Sequence, residues 1–180
     1  KNRAEARQIM EKLGYSKDKP LKIKVATRNI AIYRDPAVIL IDQLKSIYID
    51  AELDPIDTTV WYNKIQRKDY SVGMNLTGGA VHDPDTAFYE NFLSASDRNY
   101  TAYKNPEIDA LIDKQSAELD RDKRKKIVWE IEKKLAEDGA RPVINHNVAN
   151  TCWTPQIKGL VLQHNGIYNG WRFEDIWLDR

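Results

Sequence analysis

The chain has 180 residues, and its 28 Lys and Arg against 27 Asp and Glu give a formal net charge of +1, which removes the electrostatic basis for a polyanionic partner such as nucleic acid. Hydrophobic residues at 42% and charged residues at 31% are those of a globular domain long enough to bury a core, and no apolar run reaches the roughly 18 to 20 residues that span a bilayer. Cys152 is alone, so no intrachain disulfide is expected.

The opening residues Lys1-Asn2-Arg3-Ala4-Glu5 start directly in a helical pattern without the features of a signal peptide, as an excised domain does. Ala6, Ile9, Met10 and Leu13 keep helical spacing, and Gly14 follows where a left-handed cap sits. After Pro20, Leu21, Ile23 and Val25 alternate with Lys22 and Lys24 in the period of a strand with one buried face. Asp35-Pro36 predicts a helix start, with Ala37, Leu40, Ile41, Leu44, Ile47 and Tyr48 as one apolar stripe. A strand over Glu52 to Ile56 comes next, then a helix capped by Thr58 or Thr59 and carrying Val60, Trp61 and Ile65. Tyr70, Val72, Met74 and Leu76 alternate again as a third strand.

Strand, helix, strand, helix, strand with short connections predicts an α/β fold with helices flanking a mixed, largely parallel sheet. Ligands in such sheets gather beyond the strand C-termini, which here are Thr27-Arg28-Asn29 and Thr77-Gly78-Gly79-Ala80-Val81-His82. From Val81 to Tyr103 the pattern turns irregular and reads as a structured loop region rich in aromatics. Asn105-Pro106-Glu107 opens a helix with Ile108, Leu111 and Ile112. Asp120 caps another, along which Ile127, Ile131 and Leu135 repeat until Gly139 and Pro142 end it. Its basic run, Arg121 to Lys126, is broken by Asp122 and reads as a solvated helix face. The last residues suggest short strands at Pro142 to His146, Leu160 to Gln163 and Ile176 to Leu178.

Three groups of residues invite a chemical reading. His82, Asp83 and Asp85 are ligand types for a divalent ion, although one His and two acids around a proline also make turns. Thr77-Gly78-Gly79 lets backbone N–H groups approach an anion, but it lacks the Lys-Ser/Thr of a Walker loop and the spaced third glycine of a dinucleotide loop. The serines have no Gly-x-Ser-x-Gly elbow, and His146 and His164 stand in no nucleophilic constellation, so no catalytic residue, metal site or cofactor is assigned. With 5 Trp and 9 Tyr, aromatics such as Tyr89, Tyr100, Tyr103 and Trp153 lie in polar contexts where rings meet small molecules.

Several segments together resemble the family 5 solute-binding proteins, the dipeptide, oligopeptide and nickel-binding components of ABC importers. They are the helix ending in Gly14-Tyr15, the stretch Trp61-Tyr62-Asn63-Lys64 to Asp69-Tyr70, Asp83-Pro84-Asp85, and above all Asn99-Tyr100 with Tyr103-Lys104-Asn105-Pro106-Glu107-Ile108-Asp109-Ala110-Leu111-Ile112. The resemblance implies a lobe of the type II periplasmic-binding-protein fold over residues 1–156. Residues 157–180 are then a tail that returns toward an absent first lobe, with Val161 to Arg180 weakly anchored. It further implies a monomeric, periplasmic or membrane-anchored extracytoplasmic protein. Such a protein captures a small polar solute such as a peptide and hands it to a membrane permease, without being an enzyme.

Arg28 occupies the position where the dipeptide-binding branch uses an arginine for the peptide carboxylate, and Asn29, Thr77, Gly78, Gly79, His82 and Tyr100 complete the implied ligand-binding set. One departure stands out. Where peptide-binding relatives place an Asp for the ligand's amino group and a Trp nearby, this chain has Gly79 and Leu76, which removes the counter-charge for a buried ammonium. Two other functions share the sequence: a sensing or interaction module on the same fold, and a metal-dependent hydrolase built on His82, Asp83 and Asp85.

Overall fold

The computed structural model describes residues 2–78, 83–146, 150–162 and 172–179. The chain divides into two compact units, residues 1–77 and 78–180.

The first unit is α/β. Helix α1 (Asn2–Lys12) precedes β1 (Leu21–Arg28), α2 (Ala31–Leu44), a short 3-10 turn, β2 (Ile49–Ile56), α3 (Thr58–Gln66) and β3 (Val72–Met74). The strands form a parallel sheet in the order β2-β1-β3, so β1 is central, paired with β2 from Leu21↔Ile49 to Arg28↔Ile56 and with β3 from Val25↔Val72 to Thr27↔Met74. Central position explains its composition, because Val25, Ala26 and Thr27 are all buried where the alternation expected from Lys22 and Lys24 gives way. Val25, Ala37 and Ala51 form the middle of the core, with Ile23, Ile41, Leu44, Leu53, Val72 and Met74 packed around them. Thr27 takes its hydroxyl into that interior and satisfies it on the Met74 carbonyl at 3.0 Å.

Helix α2 begins at Ala31, ahead of the Asp35-Pro36 start expected from sequence, and holds Pro36 inside it. The Ile30 carbonyl accepts from the amides of Tyr33 and Arg34, both at 2.9 Å, so the first turn closes before the proline is reached. The apolar stripe does not run on as one helix. After Leu44 the backbone tightens into the 3-10 turn, and Tyr48 takes a left-handed φ of 63° that turns the chain into β2. Helix α3 is capped by Asp57 instead of a threonine, its carboxylate accepting from the Thr59 amide at 2.8 Å.

The second unit is built on helices α4 (Pro84–Asn91), α5 (Pro106–Ala117) and α6 (Arg121–Glu137), with a two-stranded antiparallel ribbon of β4 (Ile157–Lys158) and β5 (Trp177–Leu178). Phe88, Ile108, Ile112, Ile127, Ile131, Leu135 and Ala140 make one buried apolar cluster. Helix α4 takes up Pro84–Asn91 of the otherwise irregular stretch from Val81 to Tyr103, and it starts with Asp83 as cap and Pro84 in the first turn. The same Asx-Pro device starts α5 at Asn105-Pro106, and Asp120 caps α6 as expected, accepting from the amides of Asp122 and Lys123. Gly14 and Gly139 follow α1 and α6 with positive φ.

Residues Pro142 to His146 form no strand, and Val143 and Ile144 are exposed. Leu160 to Leu162 are likewise outside any strand, while Gln163 of that expected segment lies outside the described residues. The pairing falls instead on Ile157↔Leu178 and Lys158↔Trp177, with the Asp179 amide reaching the Gln156 carbonyl at 2.9 Å. Gly159 permits this ribbon: at a φ of +73°, a Cβ there would meet the Asp175 carbonyl oxygen at 1.9 Å.

Candidate functional site

Parallel pairing brings the C-terminal ends of β1, β2 and β3 to one edge of the first unit. Arg28 is the last residue of β1, and its side chain is half-buried there. Its Nη1 donates to the Tyr33 hydroxyl at 2.8 Å and its Nε to Thr58 Oγ1 at 3.3 Å. The guanidinium carbon lies 4.7 Å from the centroid of the Tyr33 ring and 5.8 Å from that of Tyr62. Tyr33 comes from the first turn of α2, and Thr58 and Tyr62 are separated by one turn of α3, so the two helices that follow β1 and β2 supply these contacts.

Arg28 enters none of the ion pairs found among the described residues. A half-buried guanidinium normally recruits a carboxylate, because lost hydration has to be replaced by charge-assisted hydrogen bonds. Here two hydroxyls and two aromatic faces hold it without neutralising it. Of the five N–H donors of a guanidinium, the Nε hydrogen and one on Nη1 are used, which leaves both on Nη2 and one on Nη1 without a hydrogen-bond partner among the described residues. Physically this is a fixed cation with an open donor edge.

Asn29, the next residue, is exposed, and its amide donates to the Ile56 carbonyl at 2.8 Å. Thr77 follows β3 and is exposed, so Arg28, Asn29 and Thr77 lie beyond the same ends of one parallel sheet. Gly78 is exposed at the start of the second unit, and half-buried Tyr100 belongs to that unit too. Gly79 and His82, with Ala80 and Val81 between them, lie outside the described residues, as does His164. Sequence reasoning missed Tyr33, Thr58 and Tyr62, although Tyr62 was among the residues that carried the resemblance.

The acidic loop has a different occupation. Asp83 receives Arg124 Nη1 at 2.9 Å and Nη2 at 2.6 Å, while also accepting the Asp85 amide as cap of α4. Asp85 accepts from Gln115 and from the Ser116 hydroxyl at 2.8 Å, and Arg124 donates its Nε to Gln115 Oε1 at 3.0 Å. The guanidinium holds the Asp83 carboxyl below the usual carboxylate range, and the carboxylate in turn raises Arg124. A cation already sits where a metal would have to bind, and the described residues contain no group of three or more His, Cys, Asp or Glu able to hold a metal ion.

The Asn99 to Ile112 stretch, the most specific part of the resemblance, is also structural. Asn99 is buried, its amide donating to the carbonyls of Leu93 and Tyr103 and its oxygen accepting from the Tyr103 amide. Asp109 accepts from the Ser94 amide at 2.9 Å, and Asp138 receives the Tyr103 hydroxyl at 2.5 Å and the Asn105 side chain at 3.2 Å. The Tyr103 hydroxyl and Asn105 hold the Asp138 carboxyl low.

No family model matches the chain. The periplasmic oligopeptide-binding protein OppA of Haemophilus influenzae is 28% identical over 159 residues, covering 86% of this chain and 29% of that protein. The ABC transporter substrate-binding protein CtaP of Listeria monocytogenes superposes with a TM-score of 0.67 at 27% identity, covering 77% of this chain and 28% of that one. NikA of Staphylococcus aureus, solved in complex with Ni(L-His)2, gives a TM-score of 0.76 at 23% identity over 93% of this chain and 36% of its own. The chain thus spans about 29% of the length of the curated relative that it matches over 86% of itself. Those relatives are solute-binding proteins, and no helix among the described residues is long and apolar enough to cross a membrane. With a parallel α/β sheet flanked by helices and this likeness over most of its length, the chain resembles the family 5 solute-binding proteins and has the fold of the portion of them that it spans.

Proposed function

We propose that the chain is part of the substrate-binding component of an ABC-type importer. It captures a small polar solute bearing a carboxylate, such as a peptide or peptide-like compound, outside the cytoplasm and delivers it to a membrane permease. Its role is to bind and release the solute, not to transform it. The observation that carries this reading is Arg28, half-buried at the C-terminal edge of a parallel sheet with an open donor edge and no carboxylate partner among the described residues. An arginine fork is matched to a carboxylate, and the cargoes named for two relatives, oligopeptides and a nickel complex of L-histidine, share that group.

The remaining wall of the site is assigned to a second lobe that these residues do not supply, closing over the solute by hinge motion. Asn29, Thr77, Gly78, Gly79, His82 and Tyr100 are proposed as further ligand contacts. Gly79, in place of an acidic residue, disfavours peptides that bury a free amine at that point.

The test is a thermal-shift comparison, on the whole protein, of N-acetylated peptides with free carboxylates, their C-terminal amides, and nickel with L-histidine. A ligand at about 100 times its Kd stabilises by roughly 2.7 kcal/mol. The carboxylates are expected to raise the melting temperature more than the amides, and Arg28→Gln to abolish the difference. Equal stabilisation by acids and amides in the unaltered protein would remove Arg28 from the ligand site.

A further inference from the structure

Tyr33 and Thr58 do more around Arg28 than fill space. Each hydroxyl oxygen accepts a hydrogen bond from the guanidinium, Tyr33 from Nη1 at 2.8 Å and Thr58 from Nε at 3.3 Å. A hydroxyl has one proton to give, and its own donor is polarised when its oxygen accepts from a cation. Among the described residues neither hydroxyl proton has an acceptor, and both side chains remain half-buried instead of turning fully to water. Three donor groups therefore sit together without acceptors among the described residues: the open N–H edge of Arg28, the Tyr33 O–H and the Thr58 O–H.

We propose that Arg28, Tyr33 and Thr58 form a single cradle for one carboxylate group, in which the two hydroxyls orient the guanidinium and donate to the same anion. The inference rests on the reading of Arg28 as the anion-binding residue and adds two ligand-contacting residues to it. The Tyr62 ring closes the cationic side of the cradle without offering a donor to the anion. Because the hydroxyls fix two of the rotatable ends of the arginine, little side-chain entropy is left to lose when the anion arrives. The arrangement favours a planar, two-oxygen anion over a neutral amide, whose NH2 would face donors and leave them unpaired.

The experiment uses acetate as the minimal carboxylate and so needs no identified solute. In 15N-labelled full chain, the Arg28 Nε–H resonance is followed while sodium acetate replaces sodium chloride at fixed ionic strength. A saturable shift is expected in the unaltered protein. Tyr33→Phe and Thr58→Val each weaken acetate binding by about ten- to hundredfold, the value of one hydrogen bond to a charged group, and Thr58→Ser restores it to within about twofold. Thr58→Val against Thr58→Ser decides the matter even if Tyr33→Phe fails to fold, since the two differ in the hydroxyl while both fit the first turn of α3. A saturable shift unaltered by Thr58→Val overturns the cradle and leaves Arg28 as the anion site. No saturable shift in the unaltered protein overturns both.

Discussion

Arg28 in the first unit and Arg124 in the second are both half-buried, and their partners differ in kind. Arg124 is neutralised: Asp83 takes it in a two-pronged pair, Asp85 lies 3.3 Å from its Nη2, and Gln115 receives its Nε. Among the described residues Arg28 touches only neutral groups, two hydroxyls and two rings. The difference separates an arginine that ties helices together from one that holds charge in reserve. The acidic residues that look most like chemistry belong to the first kind of site, and the arginine that looks like a strand-end surface residue belongs to the second.

The comparison sharpens against the apolar centre of the second unit. Ile131 is fully buried on α6 among Ile108, Ile112 and Leu135, so Ile131→Ala is expected to cost about 3 kcal/mol of unfolding free energy in a denaturant titration, through lost burial and the cavity left behind. A loss under about 1 kcal/mol would mean that the helices α5 and α6 repack freely.

Arg124→Met comes next. It keeps the length of the side chain and leaves Asp83 and Asp85 without their cation, and about 1.5 kcal/mol is expected after allowance for partial exposure of the carboxylates. The pair also predicts a pH signature. The Asp83 carboxyl is held low, chiefly by the hydrogen bonds from Arg124, so its contribution is fully present above its unfolded value of 3.8 and is lost as pH falls through the lower folded value. The stability gap between the unaltered protein and Arg124→Met therefore narrows below about pH 4. A gap that stays constant from neutral pH to pH 3 argues against an ionic clasp.

The smallest effect belongs to Arg28. Arg28→Gln removes no ion pair among the described residues, only two hydrogen bonds to hydroxyls and two ring contacts, so the unfolding free energy without ligand is expected to change by about 1 kcal/mol or less, even as carboxylate binding is lost. A destabilisation as large as that of Arg124→Met would make the two arginines equivalent and erase the contrast between them.

Much of this was legible because it is local. Asn105-Pro106 and Asp120 announced α5 and α6, since a cap and the first turn are contiguous in sequence. Asp83-Pro84 carries the same signal for α4, but that helix is short and buries only Phe88, so no apolar period supported it. The alternation of Leu21 to Val25 placed Arg28 at a strand end, and parallel order placed that end beside the C-terminus of β2, where the site is proposed. What surrounds Arg28 was not legible, because Thr58 lies 30 residues away and reaches it only through the β2–α3 connection. Pro142 to His146 failed for the complementary reason. Val143 and Ile144 have strand propensity, but a strand exists only with a partner, and a partner is a tertiary fact that propensity does not contain. The Asp83 clasp was hidden likewise, since Arg124 lies 41 residues along the chain.

Thr27 and Arg28 are neighbours on β1, so they point to opposite sides of the sheet: one ends on the Met74 carbonyl, the other among the tyrosines. This adjacency sets how the gene can vary. Loss or gain of a single codon within residues 21–28 would shift the eight-residue register with β2 by one and swap the two faces, burying a guanidinium where a hydroxyl now sits. Substitutions along β1 are graded in their effect, but a one-residue indel abolishes the fold and the proposed anion site together. The strand is therefore a stretch in which homologous chains are expected to align without gaps.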